Sequence, residues 1–316
     1  MRVLLTGGTG YLGRAVARAL VRRGHDPVIL ARSATRSGLT GTLVDGDVRD
    51  SDAVGRAARG CAAICHMAAL VSIWHEPTRD FEAINVGGLR NALTASAQLH
   101  IPRFVYTSSF LALPPRGASV PIDANAYQRT KVEGNQVAAD ARRDGIPLLR
   151  LYPGVVYGPG PEREGNLVGR LIADHLRRRL PGLVGPEKTW SFGYVDDVAE
   201  AHCVAIENGP PGSDYMLGGD NVPQGQIFEI VTRLTGRAQP RRIPFPLASA
   251  IGLAEEARVT LFGGRPAITR AAVEIFRHDW PLDSSAAIRD LGYTITPLAV
   301  GIKRTVESID AKIAPH

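Results

Sequence analysis

Tyr127 and Lys131 stand four residues apart in the stretch YQRTK, so on a helix both side chains leave the same face. A phenol next to an ammonium can exchange a proton. Free phenols titrate near a pKa of about 10, and a neighbouring cation favours the phenolate and brings that exchange closer to neutrality. Far upstream, Val3, Leu4 and Leu5 run as a short buried strand into TGGTGYLG. A glycine turn between a strand and a helix is a phosphate cradle for a dinucleotide. A proton-moving pair combined with such a cradle implies redox chemistry on a nicotinamide dinucleotide.

The elements that must position these groups are legible in order. From Tyr11 to Arg23 the apolar residues Leu12, Val16, Ala19 and Leu20 keep helical spacing. Gly7 permits the tight turn, Gly10 lets the backbone approach a pyrophosphate and Gly13 lets helix and strand pack closely. The spacing is G-x-x-G-x-x-G. After the second strand, Val28 to Leu30, come Ala31, Arg32 and Ser33, with Arg36 shortly beyond and no carboxylate. A guanidinium there pairs with a ribose 2′-phosphate, whereas an acid would bind the 2′-hydroxyl, so NADP(H) is favoured and NAD(H) stays open. Asp47 in GDVRD, following a third short strand, could take the adenine amino group or serve as a turn or cap aspartate.

A fourth strand ends in His66, Met67, Ala68 and Ala69, where small residues would let the backbone pass near a cofactor. The bland account of His66 is a strand-end histidine satisfied by backbone groups. Cys61 and Cys65 read as thiols of that same strand, with Cys203 far off and no zinc set completed, so no metal is expected. The fifth strand, Phe104 to Thr107, delivers Ser108 and Ser109 at its carboxyl end, where open parallel sheets place their chemistry. Side chains alternate along a strand, so only one serine faces the cleft. Ser109 is the choice and Ser108 the fallback.

With TGGTGYLG, HMAA, NVGGLRN, RFVYTSS, YQRTK, LYPGVVYGPG, FGYVDDVAEAH and DSSAAIRDLGY in sequence, the chain resembles an extended short-chain dehydrogenase/reductase of the NAD-dependent epimerase/dehydratase family almost end to end. HMAALVSIW, YTSSFLAL and RHDWPLDSS are most similar to the dihydroflavonol-reductase-like and farnesol-dehydrogenase-like branch, which acts on hydrophobic alcohols and ketones. A neighbouring branch holds sugar epimerase-like proteins. The resemblance implies an α/β fold, a Rossmann-type doubly wound parallel sheet with a smaller, discontinuous substrate-binding lobe. It implies that Ser109 polarises the substrate oxygen, Tyr127 exchanges the proton, and Lys131 holds the ribose and lowers the tyrosine pKa. Along the cofactor it places Thr6, Gly7, Gly10, Tyr11, Leu12, Gly13, Arg32, Asp47, Val48, Met67, Ala68, Ala69, Thr107, Tyr127 and Lys131. Asn85 in NVGGLRN resembles an asparagine kept near the nicotinamide half, although Leu89 replaces a threonine common there. Tyr152, Pro153, Gly154, Val155 and Val156, after a sixth strand Leu148 to Leu151, resemble a loop whose backbone pairs with the nicotinamide carboxamide. Asp196 and Asp197 match a segment that opens a helix, as N-cap and first-turn acids. A homodimer through exposed helices is also within the family's range.

A length of 316 residues with 44% hydrophobic content suffices for one large core and a smaller lobe. The expected division is a dinucleotide-binding unit of residues 1–157 with 191–218 and a substrate lobe of 158–190 with 219–316, the breakers Gly158, Pro159, Gly160 and Pro161 marking the exit. Arg177, Arg178 and Arg179 read as a solvated helix end, with a docking patch as the alternative. The longest apolar stretch, Ala62 to Trp74, is too short to span a bilayer, and the opening residues form a strand instead of a signal peptide. Three cysteines suit a reducing cytoplasm. A net charge of +6 spread along the chain suits an anionic dinucleotide, and no nucleic-acid partner is expected. Val71 and Trp74, Phe110 and Leu111, and Trp190 are the candidate apolar substrate wall, pointing to a small hydrophobic substrate. Arg163 and Arg170 keep sugar-nucleotide epimerisation or dehydration open, and a noncatalytic dinucleotide-binding role is the remaining alternative.

Overall fold

The computed structural model describes residues 1–72, 79–162 and 165–313. In chain order the strands are β1 (Arg2–Thr6), β2 (Asp26–Ala31), β3 (Thr42–Asp45), β4 (Ala63–His66), β5 (Phe104–Thr107), β6 (Leu148–Pro153), β7 (Val155–Tyr157), β8 (Leu183–Val184), β9 (Thr189–Tyr194), β10 (Asp214–Leu217), β11 (Asp220–Pro223) and β12 (Arg242–Ile243). The helices are α1 (Tyr11–Arg22), α2 (Ser51–Ala58), α3 (Arg79–Glu82), α4 (Gly88–Gln98), α5 (Ala126–Arg143), α6 (Leu167–Leu176), α7 (Val195–Asn208), α8 (Gly225–Thr235), α9 (Phe245–Phe262), α10 (Arg270–Phe276), α11 (Ser285–Leu291) and α12 (Leu298–Ile313).

Seven strands form a parallel sheet in the order β10-β6-β5-β4-β1-β2-β3. The order reverses direction between β1 and β4, and ligands of open α/β sheets bind beyond the strand ends at such a point. Strand alternation sorts side chains into two cores. Val3 and Leu5 of β1 and Val105 of β5 face the layer holding α1, α7 and α11, while Leu4, Phe104 and Tyr106 face α2, α4 and α5. Burial on both faces explains the near-continuous apolar strands.

A second, three-stranded sheet runs β11-β9-β7, and a third cluster packs it against α6, α8, α10 and α12. Lobe boundaries at 157 and 191 therefore need correction. β7 and β9 pair with each other and not with the main sheet, and α11 packs its Ala287 and Leu291 into the main core. The chain changes sheet at Gly154, between β6 and β7, and returns where β9 runs directly into α7. Cys61 lies in the turn before β4, outside the strand. All three cysteines are free and buried, and no metal-binding cluster occurs among the described residues. No helix among the described residues is long and apolar enough to cross a membrane.

Candidate active site

The glycine turn folds as its spacing implies. Gly7 has φ +73, and a Cβ on it would lie 2.7 Å from the Ala68 nitrogen, so the turn abuts the end of β4. A Cβ on Gly13 would lie 2.1 Å from the Gly7 oxygen, which fixes how closely α1 approaches the turn. Gly10 caps α1 with no side-chain acceptor, and the first turn carries no acid, so the helix start is left to attract an anion. A dinucleotide phosphate fits this cradle. The side chain of Tyr11 turns away and donates to the Gly158 oxygen at 3.0 Å, and Leu12 packs on the main core. Arg14, unremarked in the sequence, ties the turn to the segment after β2 by donating to the oxygens of Thr9 and Ser37 at 3.2 and 3.1 Å.

At the expected ribose end Arg32 is exposed and Arg36 donates to Ser33 Oγ at 2.9 Å. Two carboxylates do come near. Asp45 pairs in register with Ala31 but accepts from the Thr35 nitrogen and hydroxyl, and Asp47 is gripped by Arg49. Those bonds, and the charge of Arg32, hold the Asp47 carboxyl below its usual range. Val48 is buried under Gly88, with its oxygen taken by Asn91.

Thr6 and His66 close the ends of β1 and β4. The Thr6 hydroxyl bonds His66 Nδ1 at 3.0 Å and accepts from the nitrogens of Met67 and Ala68. The partner of His66 is thus a hydroxyl, where the sequence suggested backbone. Burial, then the charge of Lys131, drive its pKa down to about 3, so the imidazole is neutral. Ala69 leads into Leu70, which Asn85 holds: Asn85 Oδ1 accepts from the Leu70 nitrogen at 2.7 Å, and Nδ2 donates to Thr130 Oγ1 at 2.9 Å. Asn85 sits in a π-helical turn, Ala83–Gly87, the kind of local unwinding that frees a side chain from helical register.

Alternation along β5 decides the hydroxyls. Thr107 faces α7, where its Oγ1 meets His202 Nε2 at 3.0 Å, while Ser108 faces α5 and donates to Asn135 Oδ1 at 2.7 Å. His202 Nδ1 lies 2.7 Å from the Val198 oxygen, an acceptor only, so Nδ1 carries the proton and Nε2 accepts from Thr107. Burial lowers the His202 pKa to about 4. Ser109 follows the strand, opens a 3₁₀ turn, Phe110–Ala112, and accepts from the Leu111 nitrogen at 3.2 Å.

α5 brings the phenol and amine to that turn. Asn125 caps the helix by accepting from the Gln128 nitrogen at 2.8 Å, worth about 1 kcal/mol. Fully buried Gln128 accepts from the Ala124 nitrogen and donates to the Leu111 oxygen, each at 3.0 Å, clasping the serine turn to the helix that carries Tyr127. A Cβ on Gly134 would lie 2.3 Å from the Tyr106 oxygen, so α5 reaches β5 closely only because that residue is glycine. One turn earlier, Lys131 Nζ donates to the Thr107 oxygen at 2.9 Å and stands 5.4 Å from the Tyr106 ring centroid. Burial lowers the lysine pKa to about 8. Burial pushes the Tyr127 phenol up to about 12, opposed by hydrogen bonding from Ser109. Desolvation dominates and the lowering expected from Lys131 is not found, so Tyr127 rests protonated at neutral pH.

Other expectations are revised. Tyr152 and Pro153 end β6, Gly154 is the change of sheet, and Val155 and Val156 begin β7, so the stretch read as a loop is strand on both sides of one residue. Gly154 makes its close approach to the Ser191 oxygen, 2.6 Å from where a Cβ would stand. Arg150 lies over the Tyr152 ring at 5.7 Å. The N-cap of α7 is Tyr194, leaving Asp196 and Asp197 in its first turn, where Asp197 accepts from the Thr296 nitrogen at 2.6 Å. Of the arginines after α6, Arg177 pairs with Glu162 and Arg179 with Asp174, while Arg178 is exposed. Of the apolar wall, Val71 is exposed, Phe110 and Leu111 follow Ser109 and are buried in the same core cluster as Trp190, and Trp74 lies outside the described residues. Trp190 belongs to the core: its ring stacks on Phe276 at 5.0 Å and lies 5.9 Å from Phe110, and its Nε1 donates to the His278 oxygen.

Comparison with known proteins agrees with this fold. The family model described as the NAD dependent epimerase/dehydratase family matches residues 3–218. "Sterol demethylase protein B" of Methylococcus capsulatus is 31% identical over 313 residues, covering 94% of this chain and 94% of that protein. The 2-alkyl-3-oxoalkanoate reductase of Stenotrophomonas maltophilia is 29% identical over 316 residues, covering 93% and 94%. The UDP-glucose 4-epimerase of Thermotoga maritima shares the fold with a TM-score of 0.81 at 21% identity, covering 99% of this chain and 100% of that one. A family match over more than half of the chain, joined to the doubly wound sheet and glycine turn, makes this chain a member of the NAD-dependent epimerase/dehydratase family, the extended short-chain dehydrogenases/reductases.

Proposed function

We propose that this chain is an oxidoreductase that uses NADP(H) in preference to NAD(H) and interconverts a hydrophobic secondary alcohol with its ketone, or an alcohol with its aldehyde. The convergence of Ser109, Tyr127 and Lys131 at the carboxyl end of β5, beside the Gly7 turn, carries the reading. A bound nicotinamide supplies the hydride in reduction and accepts it in oxidation. The Ser109 hydroxyl donates a hydrogen bond to the substrate oxygen, and the Tyr127 phenol delivers the proton that balances the hydride. The Lys131 ammonium, steadied by the Thr107 carbonyl, stabilises the phenolate left behind and keeps two N–H groups for ribose hydroxyls. Pushed up to about 12, the phenol keeps its proton at neutral pH and so rests in the form that the reducing direction consumes.

Phe110 and Leu111 beside Ser109 favour an apolar substrate, and the 2-alkyl-3-oxoalkanoate reductase among the relatives is named for one. Exposed Arg32, with Asp45 and Asp47 already occupied, favours the phosphorylated dinucleotide. The parallel sheet would hold the dinucleotide and the second sheet with its helices the substrate. Purified protein assayed at the nicotinamide absorbance band against a panel of alkyl ketones and secondary alcohols tests the reading. Stoichiometric cofactor turnover supports it. Conversion of a sugar nucleotide with no net absorbance change would replace it with epimerisation.

A further inference from the structure

The helix α9 is apolar around its circumference yet stands largely outside the core: only Ala248, Gly252 and Val259 are buried. Such a helix is ordinarily enclosed. Leu247, Ile251 and Leu253 are instead exposed, and Leu261 and Phe262 at its tip are 75% and 82% exposed. Ala250, Ala254 and Ala257 complete the outward face. Two left-handed glycines, Gly263 and Gly264, end the helix just past that apolar tip. Both carboxylates of α9 are turned inward: Glu255 accepts from Arg258 and the Ala267 nitrogen, and Glu256 from the nitrogen and side chain of Arg270. Residues 237–270 hold six arginines against two glutamates and the Glu187 that pairs with Arg242, a net charge of +3, with Arg241 exposed.

We propose that α9 docks this protein on an anionic phospholipid surface, its apolar tip entering the acyl boundary and the surrounding arginines meeting headgroups. Charge argues against a second copy as the occupant. A two-fold contact would set this positive segment against itself. The most exposed apolar groups, Leu261 and Phe262, lie at the tip, where a bilayer takes them. Beneath α9 lies an aromatic path toward the site: Arg277 covers Phe245 at 4.8 Å, Phe276 stacks on Trp190, and Trp190 meets Phe110, the neighbour of Ser109. Delivery of a hydrophobic substrate along that side rests on the reaction proposed above, whereas the docking does not.

Co-sedimentation of the full chain with phosphatidylcholine vesicles, with and without phosphatidylglycerol, tests the docking. Binding to the anionic vesicles, weakened by about tenfold in Leu261→Ser/Phe262→Ser and reduced in Arg241→Glu, supports it. The double variant alters only exposed side chains, so its turnover of a water-soluble ketone stays at the wild-type level. Absence of binding to anionic vesicles by folded protein overturns the proposal. So does binding indifferent to both variants, or a dimer in light scattering that the double variant dissolves.

Discussion

The ammonium of Lys131 is anchored to the carbonyl oxygen of Thr107 at 2.9 Å, and the hydroxyl of that same threonine is held by His202 on the opposite face of the sheet. The proposed catalytic charge is therefore positioned from both layers of the main lobe. Removing the phenol while keeping this scaffold isolates proton transfer. Tyr127→Phe should lower kcat by on the order of 10²–10⁴ with NADPH affinity retained, read by steady-state kinetics and fluorescence titration. Full activity in that variant rules out the acid role.

The pH profile should follow Lys131. Its pKa is depressed to about 8, so the cation is present below that pH and lost as pH rises through it. Tyr127, near 12, keeps its proton throughout. kcat/KM for reduction should accordingly fall above about pH 8. In Lys131→Arg, whatever activity survives should lose that fall, because a guanidinium keeps its proton. An unchanged profile in the arginine variant contradicts the assignment.

Gln128 is a positioning residue. Gln128→Leu leaves the Leu111 oxygen and the Ala124 nitrogen without their side-chain partner and should cost about 1–3 kcal/mol in chemical denaturation. Because the lost clasp bears on Ser109 and makes no bond to the glycine turn, kcat should drop while NADPH affinity holds. Equal losses in both would mean a general structural role.

Cofactor choice is tested at Arg32. Arg32→Ala should raise the Kd for NADPH by about tenfold and leave NADH nearly unchanged, in parallel titrations. At the pyrophosphate, Gly13→Ala must displace the Gly7 carbonyl and should weaken both cofactors by on the order of a hundredfold.

Local pattern made much of the main lobe readable: the glycine turn, the buried strands and the helix carrying Tyr127 all follow from periodicity and turn chemistry acting over a few residues. Gly134 also left a signal, since glycine inside a helix costs about 1 kcal/mol and asks for a close neighbour. Other features had none. The His202 bond to Thr107 and the Gln128 clasp on Leu111 join side chains to groups that approach only after the layers pack. Three residues of β7 are too few to show alternation, so the change of sheet at Gly154 read as a loop. Trp190 was placed at a substrate wall because an aromatic residue's type does not tell a lining position from the stacked interior it shares with Phe276.

The two sheets are joined by unusually little chain. One residue separates β6 from β7, none separates β9 from α7, and only Gly218 and Gly219 separate β10 from β11. Those glycines are pressed against Ser191 and Phe192, where added side-chain atoms would collide. At these three crossings any hinge between the lobes has to turn within one or two residues, and at two of them those residues are glycines already in close contact with β9. A bulkier residue at any of these glycines would therefore disturb how the two sheets face each other before it touched any side chain of the proposed site.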